Sequence, residues 1–354
     1  MGKLLYIGND IENITCGADA VNKRNLKFIR DIFSNDEIII QELSKITFID
    51  KFLGYAGGLN RKIETDILRK LDKFDIEFVF ISHSLLGRVA KKIKKKYKDV
   101  VIITFYHNIE VSYAKAFLKE VGFRGLPFYF ISLLNEKIAS EFSDRSIVLN
   151  KRDKDLLKSV YNREATGIIP ISYGDEFDRE RMNIFSSKNE MKIKLLFVGV
   201  SFFANTSGIM WFINNVLPSL DVELSIVGKG MDVFFSDLYN EKVKVYGYVD
   251  NLSNFYYDAH LVIAPIFTGA GMKTKVAEAM MYGKTVIGTK EAFEGYDLIP
   301  KAHYLFKDSD ECISIINSFV DRQLEIDKFN SVARLGFLEF YSNNAVLKNM
   351  RQIF

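Results

Sequence analysis

Cysteine is nearly absent from this chain. Only Cys16 and Cys312 occur in 354 residues, far apart and without metal-ligand spacing. The sequence therefore predicts free thiols in a reducing compartment rather than a disulfide framework. Long hydrophobic runs are missing too: the longest, "LPFYFISLL" at 126–134, falls well short of the roughly 20 residues a spanning helix needs. "KLLYIGND" near the N-terminus meets Asn9 and Asp10 after too short an apolar stretch for a secretory signal. The expectation is a cytoplasmic protein, soluble or resting on the inner face of a membrane. A strong charge excess is also lacking, since 48 basic residues face 45 acidic ones for a net +3. That balance argues against nucleic acid as a partner. What imbalance there is lies in the first half: residues 1–185 carry 31 basic and 26 acidic residues, the remainder 17 and 19. An anionic partner is better matched to the N-terminal half.

What is present is alternation. "KLLYIG", "EIIIQEL", "EFVFIS", "VVIITFYH", "SIVLN" and "GIIPIS" read as strands in the first half. "KIKLLFVGV", "VELSIVG", "VKVYGYV", "HLVIAPI" and "KTVIGT" do so in the second. Several are continuously apolar, as in parallel strands covered on both faces, and helical patterns separate them. The fold class is α/β, with two doubly wound Rossmann-like domains, because the length exceeds one typical core. A polar segment, "SYGDEFDRERMNIFSSKNEMK" at 172–192, marks the break. The expected domains are 1–180, 181–335, and a helical tail, 336–354, packing back toward the first. Ligands in such folds gather where strand C-termini meet, here a central cleft between the domains.

The most informative stretch is "TGAGMKTKVAEAMMYG", 268–283. A strand ending near Ile266, a glycine turn, and a helix running from about Met272 to Gly283 together form an anion site. Free N–H groups point outward there, and the helix dipole favours negative charge. Gly269 and Gly271 allow close approach of the backbone. At helical spacing Met272, Val276, Ala279, Met280 and Gly283 face the sheet, while Gly271, Lys275 and Glu278 share another face. Glu278 is then placed to accept hydrogen bonds from hydroxyl groups, with Lys273 flanking. An ordinary surface pair between Lys275 and Glu278 is the competing reading.

With its surroundings, over about 193–297, this region resembles the retaining family-4 glycosyltransferases of the GT-B fold. "LLFVGVSFFANTSGIMWFINNVLP" is similar to the family's opening strand and helix, and "VKVYGYVDNLSNFYYDAHLVIAPIFTGAGMKTKVAEAMMYGKTVIGTKEAFEGYD" to its donor-binding half. The resemblance implies that the C-terminal domain holds a nucleotide-sugar, with UDP favoured as the nucleotide. Glu278 matches the second glutamate of the family's E-x7-E motif, which binds the ribose hydroxyls. Ala270 stands where the first glutamate would be. Gly199, Gly269, Ala270, Gly271, Met272, Lys273 and Lys275 would line the donor, and Tyr248 and Val249 its base. The Arg and Lys that clamp the leaving diphosphate in the family are missing from "GVSFFANTSG", and Lys275 is assigned their role. In the N-terminal domain, Gly17 in "NITCGADAVNKRNLKFI" would approach the diphosphate or acceptor. His107, closing "VVIITFYH", would face the reacting sugar across the cleft, with His83 as its competitor; Arg24 is a helix-face or site residue. Catalytic roles thus fall to His107, Glu278 and Lys275.

The expected reaction moves a sugar with retention to a saccharide, lipid-linked or protein acceptor, without a cofactor or divalent metal, since no Asp-x-Asp pair occurs in the donor region. The basic helix "RVAKKIKKKYKD" at 88–99 is a candidate for peripheral membrane contact through anionic headgroups. A nucleotide-sugar epimerase of the same fold, a glycogen-type phosphorylase or a non-catalytic partner subunit are the alternative readings.

Overall fold

The computed structural model describes residues 2–9, 17–186, 192–238, 241–269, 271–321 and 327–354. Runs of Leu, Ile, Val and Phe without polar alternation become strands buried on both faces. In the N-terminal unit these are β1 (Lys3–Ile7), β2 (Ile38–Gln41), β3 (Ile76–Ile81), β4 (Val101–Tyr106), β5 (Arg145–Val148) and β6 (Gly167–Ile168), in the order β2-β1-β3-β4-β5-β6. The C-terminal unit contains β7 (Ile193–Val198), β8 (Val222–Val227), β9 (Val243–Tyr246), β10 (Leu261–Ala264), β11 (Thr285–Gly288) and β12 (His303–Leu305), ordered β12-β11-β10-β7-β8-β9. Every pairing in both sheets is parallel. These are the two Rossmann-like units that the alternation predicts.

Two expected boundaries differ. The strand in "HLVIAPI" stops at Ala264, two residues early, because Pro265 has no N–H to give the ladder. The three-residue β12, "HYL", is too short to carry a pattern and has no counterpart among the expected strands.

Helices cover the sheets for ordinary reasons. In the N-terminal unit the Arg61–Lys73 helix, capped by Asn60 Oδ1 on Ile63 N–H (3.0 Å), buries Ile63, Ile67 and Leu71. These join Val89, Ala90 and Ile93 of the Gly87–Lys96 helix against Leu5, Ile7, Val79 and Ile81. Each such side chain contributes about 1.5–3 kcal/mol on burial. The Gly87–Lys96 helix lies so close to the Leu126–Phe142 helix that a β-carbon at Gly87 would strike the backbone at Asn135 and Ala139. Among the described residues no helix is long and apolar enough to cross a membrane.

The units are not consecutive in sequence. One gathers the chain up to Pro170 together with Val346–Phe354; the other runs from Ile171 to Ala345. Val346, Met350 and Ile353 are buried. The Phe354 ring meets Phe33 edge-on at 5.1 Å and Phe78 at 5.8 Å. The Arg145 guanidinium ties this segment down by donating to the carbonyls of Ile353 and Phe354. Ending the chain after Ala345 should therefore remove several units of about 1.5–3 kcal/mol from the N-terminal core and lower its melting temperature sharply. A melting curve for the shortened chain that overlays the parent's would contradict this packing account.

Candidate functional site

In the C-terminal unit the strand order reverses between β7 and β10, which opens a crevice at their C-terminal ends. Gly199 follows β7. A β-carbon there would press within 2.8 Å of Asn205 Nδ2 and 3.0 Å of Lys275 Nζ, so glycine makes room for both. Gly228, after β8 at φ +154°, lets the neighbouring turn cross directly over the Gly199 carbonyl. On the other side of the crevice the loop after β10 carries Gly269 (φ +142°) and Gly271 (φ +69°), backbone conformations that side chains rarely adopt. Ala270 lies outside the described residues.

The helix begins at Thr274, not Met272, and runs to Met281. The positive φ values of the glycines keep the preceding residues off the helical path. The Tyr296 hydroxyl then closes the first turn, donating to Lys273 O (2.7 Å) and accepting from Ala277 N–H (3.3 Å). Gly271 is therefore not on a helical face with Lys275 and Glu278. Met272, Val276, Ala279 and Met280 are buried, in line with their assignment to the sheet side.

Lys275 and Glu278 do not form a surface pair. Lys275 is buried, its Nζ 4.1 Å from the centre of the Phe197 ring and 2.8 Å from Asn205 Oδ1. Burial, with Lys273 nearby, lowers its pKa to about 7, despite the opposing pull of Glu278. Glu278 accepts from the Tyr256 hydroxyl at 2.9 Å. Burial raises its pKa to about 7, against that hydrogen bond. Lys273 folds back, donating to Gly271 O (2.8 Å) and pairing with Glu291 (2.7 Å). Its charge is thus shared with a carboxylate, whereas Lys275 has a neutral amide as its hydrogen-bond partner. Tyr248 is exposed and Val249 half-buried, in the loop after β9.

In the N-terminal unit the strand order reverses between β1 and β3. Gly17 opens the Gly17–Ile32 helix after β1. His107 follows β4, buried, with Nε2 at 3.1 Å from Ser82 O and 3.0 Å from Asn22 Oδ1. A carbonyl can only accept, so Nε2 carries the proton. Burial chiefly, with His83 nearby, lowers the His107 pKa to about 3, so the ring is neutral and its Nδ1 is an acceptor. His83 is held differently. Its Nδ1 accepts from Leu85 N–H (3.1 Å), which leaves Nε2–H 3.4 Å from Glu110 Oε1. Burial, then the neighbouring Glu136, raises Glu110 to about 8. Glu136 accepts from the N–H groups of Glu110 (2.9 Å) and Val111 (3.1 Å), and from the hydroxyls of Ser84 (3.0 Å) and Tyr161 (2.9 Å). Arg24 is buried, donating to Asn25 Oδ1 and Pro170 O, so it is not a solvated helix face.

Residues 192–321, which contain the whole β7/β10 crevice, match the family model described as Glycosyl transferases group 1. A curated relative from Klebsiella pneumoniae, described as an uncharacterized 44.6 kDa protein in the cps region, is 26% identical over 323 residues, 81% of this chain and 76% of that protein. Among solved structures, sucrose-phosphate synthase from Thermosynechococcus elongatus superposes with a TM-score of 0.77 at 14% identity, over 99% of this chain and 98% of that one. Anabaena HepE in complex with UDP and glucose gives 0.71 at 12% identity, over 99% of each chain. The fold is GT-B.

Several residues of these sites carry no local sequence signal. Asn205 reaches Lys275 from 70 positions away, and Tyr256 reaches Glu278 from the strand-preceding Ser253–Asp258 helix. Glu110 and Glu136 read in sequence as ordinary helix carboxylates. Glu110 gives a direct test. Its folded pKa lies above the unfolded value, so its contribution to stability is complete below about pH 4.5 and lost as pH rises through about 8. Urea unfolding across that range should show the parent losing stability relative to Glu110→Gln. Parallel stability curves would mean that Glu110 is not held protonated.

Proposed function

We propose that this protein is a retaining glycosyltransferase that takes a sugar from a nucleotide-sugar, UDP-linked by preference, and passes it to a saccharide or lipid-linked acceptor in polysaccharide biosynthesis. The observation that carries this reading is the crevice of Gly199, Asn205, Lys275, the Gly269–Gly271 turn and Glu278, lying inside the segment that matches Glycosyl transferases group 1. Support for the nucleotide comes from a fold neighbour, Anabaena HepE, whose structures hold UDP and UDP-glucose. The cps-region description of the Klebsiella relative supports the polysaccharide.

In this reading the ribose hydroxyls donate to Glu278, whose remaining oxygen accepts alongside the Tyr256 bond. The backbone of the glycine turn approaches the phosphates. Lys275 meets the charge that develops on the diphosphate as its bond to the anomeric carbon breaks. The acceptor oxygen attacks from the same face, and its proton leaves with the departing phosphate, so configuration is retained. No divalent cation is required for that balance. His107 accepts a hydrogen bond from a sugar hydroxyl at Nδ1; as an acceptor it suits a hydroxyl and not a phosphate oxygen. His107→Ala should thus slow transfer by about 100-fold, about 2.7 kcal/mol of barrier, with nucleotide affinity little changed.

Lys275 tests the assignment most directly because its proton is linked to binding. A diphosphate favours the ammonium form, while the free lysine titrates near pH 7. UDP affinity should therefore fall above pH 7, approaching tenfold per pH unit. Uridine, lacking the phosphates, should show no such limb, and Lys275→Met should abolish it for UDP. Lys275→Ala should cost UDP roughly ten- to a hundredfold, the value of a hydrogen bond to a charged group. Calorimetry of UDP and uridine from pH 6 to 9 separates these outcomes. The same pH slope for both ligands would remove Lys275 from the phosphates; no binding of any nucleoside diphosphate would overturn the donor reading itself.

A further inference from the structure

The lysine-rich helix that the sequence offers to a membrane is largely spent within its own unit. In the Gly87–Lys96 helix Lys92 pairs with Glu64 (2.5 Å), Lys94 with Asp144 (2.8 Å) and Lys96 with Asp72 (2.8 Å). Arg88 donates to Leu53 O at 2.6 Å and stacks over the Tyr55 ring. The unusual surface is the segment Arg88 holds. In the Phe48–Phe52 helix, Phe48 is 84%, Ile49 69% and Phe52 85% exposed, and Leu53 follows them into solvent. Single exposed apolar residues are common, but four large ones within six positions are not.

This tip is a built element. Thr47 and Asp50 cap it reciprocally, Thr47 N–H to Asp50 Oδ2 at 2.8 Å and Asp50 N–H to Thr47 Oγ1 at 3.2 Å. Its last turn is closed by Leu53 N–H on Ile49 O and Gly54 N–H on Lys51 O. Asn135 Nδ2 donates to Gly54 O at 3.2 Å, fixing the tip to the Leu126–Phe142 helix, which itself leaves Phe130 and Leu134 exposed. Exposed Phe123 precedes that helix. Within the segment itself Lys45 and Lys51 are exposed, while its one carboxylate, Asp50, is engaged by Thr47.

We propose that the Phe48–Phe52 tip anchors this protein in the interface of an anionic lipid bilayer. Its apolar side chains enter the acyl boundary while the flanking cations meet the headgroups. A bilayer suits this surface better than a protein does. The tip sets exposed Phe48, Ile49, Phe52 and Leu53 among exposed Lys45 and Lys51, the combination of apolar and cationic side chains that an anionic interface takes up. Its backbone groups are already paired by the caps and the turn, so insertion strands few of them away from water. The proposal deepens the lipid-linked acceptor reading but does not require it, because vesicle binding is measured without donor or acceptor.

The test is cosedimentation of the full chain with phosphatidylcholine vesicles, with and without phosphatidylglycerol. The parent should bind the anionic vesicles. Phe48→Ser with Phe52→Ser should reduce partitioning by about tenfold or more with an unchanged melting temperature, since neither side chain is packed. Lys45→Glu with Lys51→Glu should weaken binding to anionic vesicles only. Phe52→Trp should show a blue-shifted emission on vesicles, quenched by brominated acyl chains. Failure of the parent to bind either vesicle overturns the proposal, as does equal binding by the double serine variant. A dimer in sedimentation velocity that the serine variant abolishes, without any vesicle effect, would assign the tip to a second copy of the chain instead.

Discussion

A parallel sheet covered on both faces has one constraint from which the rest of each unit follows: all its strands end at the same edge. Buried strands such as β1, β4, β7 and β10 have no polar face to offer solvent, so polar and glycine residues are displaced to the loops beyond their C-terminal ends. Where strand order reverses, the loops turn away from each other and leave room between them. Gly199 and the Gly269–Gly271 turn flank that room in one unit. Ser82 and His107 lie beside the corresponding reversal in the other.

Charge in these crevices is kept in an unusual state. Lys275 is covered by Phe197 and bonded to a neutral amide, and Glu278 is half-buried and bonded to a neutral hydroxyl. Burial pulls the lysine down and pushes the glutamate up until both titrate close to neutrality. Groups poised in this way gain charge readily when a ligand of the right sign arrives, and they resist it otherwise. Burial raises the Glu136 carboxyl as well, but here more hydrogen bonds oppose it. Four donors surround its carboxylate, and two of them are the N–H groups at the start of the Glu110–Val121 helix, so it acts as a fixed anchor for that helix.

The sequence makes the sheets legible because both-face burial writes each strand as an uninterrupted apolar run, and β12 escapes only because three residues cannot show one. The glycine turn after β10 and the helix that follows it are legible as a turn and a helix. The helix start is not, since the positive φ of Gly271 depends on the surrounding fold, including the Tyr296 hydroxyl that closes the turn. Lys275 and Glu278 can be placed on one helix from spacing, but their partners cannot. Asn205 and Tyr256 are brought to them by helices elsewhere in the unit. The basic helix illustrates the same limit from the other side. Its lysines look unpaired in sequence because Glu64, Asp72 and Asp144 reach them from separate elements.

The return of residues 346–354 to the N-terminal unit has a consequence for how the chain is made. A ribosome delivers the polypeptide from its N-terminus, so the first 170 residues emerge long before the segment that completes their core. Until then Phe33 and Phe78 lack the Phe354 ring, and Arg145 lacks its carbonyl acceptors. The continuous unit, Ile171–Ala345, needs nothing made after it and is free to close first. Biosynthesis thus reverses the order in which the units are written: the half translated second can finish folding while the half translated first still waits. Completion of the first-made unit is thus tied to the arrival of a segment encoded after the whole of the second.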